Sequence, residues 1–84
     1  MTPDHFYARS LATARAHLAR LQGHPRTPAT YRRAARTALQ QAYQTLPQAT
    51  VGPVVSALGG PAVLIVRIAV ELEADSPPPR PRCE

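Results

Sequence analysis

The sequence predicts an all-α domain, a helical hairpin packed on a short helix and an apolar C-terminal helix. Three observations carry this. Two long segments repeat apolar residues at spacings of three and four, the signature of one buried helical face. Each of those segments opens on Thr-Pro, at Thr2-Pro3 and Thr27-Pro28. Threonine suits the cap and proline the first helical position. Glycine or proline then stands at every break between segments.

The first helix is expected over residues 3–22. Asp4 favours the positive end of its dipole. Tyr7, Leu11, Ala14, Leu18 and Leu21 form its seam, widened by Phe6, and Gly23 and Pro25 stop it. His5, Arg9 and Arg20 point away from that seam. The second helix runs toward Leu46 along Tyr31, Ala35, Ala38, Ala42 and Leu46, with Leu39 at the edge and Pro47 as its end. Its polar side holds Arg32, Arg33, Arg36, Gln40 and Gln44, with Tyr43 at the boundary. The short link at 23–27 makes the pair antiparallel.

Thr50 to Leu58 reads as a short helix with Val51, Val54, Val55 and Leu58 apolar, broken by Gly59-Gly60. The segment 61–74 supports two readings. Leu64, Val66, Ile68, Val70 and Leu72 alternate with Arg67, Ala69, Glu71 and Glu73, which is strand periodicity in strand-favouring residues. Pro61 at the start, the Arg67/Glu71 pair four apart and the length of the segment favour a helix. The helix is preferred. The alternative is α+β, the helical hairpin plus a β-hairpin at 51–73 turning at Gly59-Gly60. The domain is expected to fill residues 1–75, leaving 76–84 as an extended, mobile Pro/Arg-rich tail.

Eighty-four residues make at most one domain, and a chain this short has a marginal core. Aromatic residues are few, Phe6, Tyr7, Tyr31 and Tyr43 with no Trp, and alanine is abundant. A second copy would add the missing apolar burial. A homo-oligomer is therefore expected, joined through Val63, Val66, Ile68, Val70 and Leu72. The single cysteine, Cys83, excludes an internal disulfide. With a polar N-terminus that does not read as a signal peptide, this predicts a reducing, cytoplasmic location.

All ten basic side chains are arginine. Lysine chemistry is excluded, both the Schiff base and the phosphate-loop lysine. Seven of the ten lie in the first 36 residues against one acid, Asp4, and residues 37–66 carry no charge. Arg26, Arg32 and Arg33 fall at the opening of the second helix, where each cation costs about 0.3–1 kcal/mol against the dipole. A bound anion removes that conflict. Arg36, Gln40 and Tyr43 continue the stripe with a charge, an amide and a ring. The expectation is a small, basic, non-catalytic binding module. It would contact nucleic acid through Arg26, Arg32, Arg33, Arg36 and Tyr43, with Arg9 and Arg20 adding charge. The alternatives are an inhibitor or adaptor docking on an acidic protein surface, and a homo-oligomeric structural subunit. A GC-rich coding sequence also yields Ala, Pro and Arg, which would leave a merely solvated arginine face.

Other patterns carry less. Thr50 to Gly60 resembles the first helix and turn of a helix-turn-helix unit, yet the next segment offers only Arg67 to base edges. Val51 to Val70 is long enough to span a membrane, but Gly52-Pro53 and Gly59-Gly60-Pro61 interrupt it, so core or interface is preferred. His5, His17 and His24 lack a zinc pattern, and neither Ser10 nor Ser56 sits in a nucleophile motif. Glu71, Glu73 and Asp75 read as a solvated strip. No enzyme, metal or cofactor is expected.

Overall fold

A computed structural model of the chain describes residues 1–21, 23 and 25–75. They form four helices: α1 (Pro3–Ala19), α2 (Pro28–Thr45), α3 (Gln48–Ala57) and α4 (Pro61–Asp75). The all-α reading holds. The last segment is helical and no strand occurs among the described residues, which removes the β-hairpin alternative. The expected tail at 76–84 lies outside the described residues, as do Gln22 and His24.

Both Thr-Pro openings form caps. The Thr2 hydroxyl accepts from the His5 N–H at 3.1 Å. At α2, the Thr30 N–H donates to the Thr27 hydroxyl and the Thr27 N–H donates to the Thr30 hydroxyl, each at 3.4 Å. This reciprocal box usually places Glu or Gln at its third position. Here threonine fills it, so the first turn of α2 holds no acid. The cap stabilises α2 by about 1 kcal/mol.

α1 ends earlier than expected. The Arg20 and Leu21 N–H groups donate three residues back, to the His17 and Leu18 carbonyls, tightening the last turn before Gly23. α3 starts earlier, at Gln48, and Thr50 lies inside it rather than capping it. It runs through Pro53, whose ring nitrogen cannot donate to the Ala49 carbonyl. Gly59 and Gly60 then close the helix at φ of +99° and +96°. The Gly60 N–H reaches the Val55 carbonyl at 2.9 Å and the Gly59 N–H the Ser56 carbonyl at 3.1 Å, satisfying both orphan acceptors. A Cβ on Gly59 would lie 3.0 Å from a Val63 methyl, so the turn needs glycine for space as well as for φ. α4 leaves this turn bent by 70° from α3.

α1 and α4 run in the same direction. Tyr7 meets Arg67 and Glu71, and further along both helices Arg15 meets Asp75. α2 runs against both and packs on both. Its buried face supplies mostly small residues, Ala34, Ala35 and Ala38 beside Tyr31 and Leu39. The larger volume comes from its neighbours: Phe6, Leu11 and Leu18 on α1, Val51, Val54 and Val55 on α3, and Leu64, Ile68 and Leu72 on α4. Alanine on the central helix lets three backbones approach closely.

The expected self-association set splits on this scaffold. Ile68 and Leu72 are 0% and 1% exposed, so they belong to the monomer core and are closed to a partner. Val63, Val66 and Val70 face outward. An alternating pattern puts all of 64, 66, 68, 70 and 72 on one strand face, whereas a helix keeps only every second member together.

Candidate functional site

Arginine reaches the surface at the opening of α2 because the buried face of that helix is already filled by Tyr31, Ala34, Ala35 and Ala38. Arg32, Arg33 and Arg36 fall on the opposite side, within little more than one turn. They line one open concavity of about 470 Å³, with Leu21, Pro25 and Thr30 on its other wall. Thr30 closes the base by donating its hydroxyl to the Pro25 carbonyl at 2.7 Å. None of the three guanidinium groups has an ion pair or hydrogen bond to a described residue, and neither does Arg26 just before the helix. Of the described acids, Glu71 and Asp75 are engaged by Tyr7 and Arg15. Several unpaired cations therefore stand near the positive dipole end of a helix whose first-turn N–H groups are mostly capped by Thr27.

The remaining expected contacts are spread along the molecule. Tyr43 is 41% exposed and stands two turns beyond Arg36 on the same face of α2, outside the concavity. Arg20 caps the C-terminal end of α1, at the same end of the hairpin. Arg9 is separate. It lines a smaller cleft of about 210 Å³ between α1 and α2, with Phe6, Ser10, Gln41 and Leu46. Arg32, Arg33 and Arg36 thus form the coherent part of the predicted set; Arg26 precedes them in the link without lining the concavity, and Arg9 does not join them.

Sequence reading missed a polar latch between α1 and α4. The Tyr7 hydroxyl donates to the Glu71 carboxylate at 2.6 Å, and Arg67 lies over the Tyr7 ring at 4.9 Å from its centre. Arg15 pairs with Asp75 one turn further on, an exposed contact that adds little stability. The Arg67/Glu71 spacing had suggested a pair within α4, whereas both side chains turn to Tyr7. The available signal was Tyr7 itself, a ring on an apolar seam whose hydroxyl requires a partner.

The latch carries a pH dependence. Partial burial, then the bond to Glu71, push the Tyr7 hydroxyl up to about 12, against the opposing pull of Arg67 and Arg15. An unfolded tyrosine ionises near 10. Between these values the unfolded chain has lost its proton while the folded chain keeps it. Stability contributed by Tyr7 is complete below about pH 10 and disappears as pH rises toward 12. Urea midpoints at about pH 9 and pH 11.5 should therefore fall further for the native chain than for Tyr7→Phe. Equal falls would mean that the latch does not form.

No three of His, Cys, Asp and Glu come together as metal ligands among the described residues. No single helix among them is long and apolar enough to cross a membrane. The helix-turn-helix reading also weakens on the observed geometry, since the outward side of α4 shows mainly valines, alanines and carboxylates, and its one cation, Arg67, lies over the Tyr7 ring. Comparisons with family models, curated proteins and solved structures return no match to this chain.

Proposed function

We propose that this chain is a small binding module that holds a nucleic-acid backbone against the N-terminal half of α2. The observation that supports this most is the concavity walled by Arg32, Arg33 and Arg36, with no carboxylate partner for any of them among the described residues. Guanidinium groups fork onto phosphate oxygens, and the helix start adds a partial positive charge of the same sign. Arg26 extends the charge before the helix, and Tyr43 offers a ring two turns along it for stacking on a base or sugar. The outward side of α4 gives little to read base edges with, so the binding proposed is to backbone rather than to sequence.

The test is salt dependence. If Arg26, Arg32, Arg33 and Arg36 each neutralise one phosphate, log K against log salt should slope near −4 on a labelled duplex, since each contact releases about 0.9 counterion. Anisotropy titrations from low to physiological salt measure this directly. A slope near zero, or no binding at low salt, removes the reading. Pull-down from lysate with and without nuclease separates the competing class. One acidic protein that survives nuclease, with no nucleic acid in the eluate, would assign the arginine face to a protein surface.

A further inference from the structure

A stripe of the outward face of α4 is apolar, with Arg67 exposed at its edge and Glu73 at its far end. Val63, Val66 and Val70 are 48%, 52% and 61% exposed and stand three and four residues apart, forming one stripe. Ala62, four residues before Val66, and Ala74, four after Val70, extend it at both ends. Valine is a poor choice for a solvated helical surface, because its branched Cβ lowers helix propensity while its methyls meet water. The exposed face of α2 shows the ordinary solution, with Arg and Gln.

We propose that this stripe is the contact of a homodimer in which α4 packs antiparallel against α4 of a second copy. Charge selects both the occupant and the direction. Residues 61–66 of α4 carry no charge, and its carboxylates, Glu71, Glu73 and Asp75, gather at the other end. Parallel pairing would set those acids against their own copies. Antiparallel pairing sets them beside the uncharged, positively polarised start of the other helix. A twofold axis level with Ile68 brings Val66 against Val70 of the second copy and Ala62 against its Ala74, with Val63 level with the stem of its Glu73. The face is then its own complement, as a twofold contact requires. The same carboxylates disfavour an anionic bilayer or a nucleic acid as occupant. The α2 arginines take no part, so this inference is independent of the nucleic-acid reading.

Three half-exposed valines cover much less than the roughly 800 Å² that each partner gives to a standard interface, so the dimer is weak. A dissociation constant on the order of 10–100 μM is expected. Sedimentation equilibrium of the full chain should show the mean mass rising toward twice the monomer across that range. Val66→Asp points into solvent in the monomer and should keep its helicity while associating at least roughly tenfold more weakly. Val66→Gln serves in its place if the aspartate variant loses helix. Direction is read by oxidative cross-linking in a Cys83→Ser background. Val66→Cys mixed with Val70→Cys should give mixed disulfides in excess over either like pair. A native chain that stays monomeric to about 1 mM overturns the proposal. So does undiminished association of Val66→Asp, or a preference for like pairs. A monomer that instead floats with neutral phosphatidylcholine vesicles also overturns it, and gives the stripe to lipid.

Discussion

Phe6→Ala is expected to destabilise the domain by about 3–5 kcal/mol, the largest effect of any single truncation in this core. Phe6 is the only phenylalanine and is 1% exposed. It sits where the start of α1 meets the end of α2, and its far neighbours across that junction include Ala38 and Ala42. Alanine has no rotamers with which to refill a vacated volume. The site also adjoins the existing cleft of about 210 Å³, so water can follow the missing ring inward. Collapse is the usual relief for a large-to-small change, and here it is blocked on one side. In a domain of this size each kcal/mol moves the melting temperature by about 4–8 °C, so a fall of roughly 15–30 °C is expected by circular dichroism. A loss under about 1 kcal/mol would mean that the α1–α2 junction is not packed as described.

Converting Arg32, Arg33 and Arg36 together to glutamine should weaken duplex binding about 100-fold at physiological salt and flatten the salt slope by about 3. The informative part is the stability measured alongside. All three side chains are exposed and none is paired with a described residue. Glutamine is about as good a helix former as arginine. Arg32, Arg33 and Arg36 are the fifth, sixth and ninth residues of α2, past the first turn where the dipole acts most, so stability should change by less than about 0.5 kcal/mol per position. A residue kept for structure loses stability when replaced, whereas these should lose only binding. If affinity and melting temperature are both unchanged, the arginine face is solvent-facing ornament and the proposed function fails.

Much of the architecture is legible in the chain. Thr2-Pro3 and Thr27-Pro28 mark two helix starts that appear where expected. The seams of α1 and α2 match the buried residues, with Tyr7, Leu21, Ala42 and Leu46 only partly covered at the ends of the hairpin. The fourth element is harder because Leu64, Ile68 and Leu72 satisfy periods of two and of four alike. Only Val66 and Val70 separate the two readings, and their direction depends on where α2 lies. That is tertiary information that no local window contains. The start of α3 was misplaced because its cap, Pro47, makes no side-chain hydrogen bond that a capping residue would announce. The arginine cluster was legible as a stripe along α2. Its common wall with Leu21 and Pro25 was not, because it depends on how tightly the hairpin link folds back. The Tyr7–Glu71 bond joins positions 64 residues apart, a range at which spacing rules say nothing.

That separation also orders events during synthesis. The α1–α2 hairpin needs only neighbouring chain to assemble, and its link is short. The clasp on Tyr7 waits until Glu71 has left the ribosome, well after the hairpin has emerged. A nascent chain therefore displays its cationic helix while the side of α1 that will receive α4 is still bare.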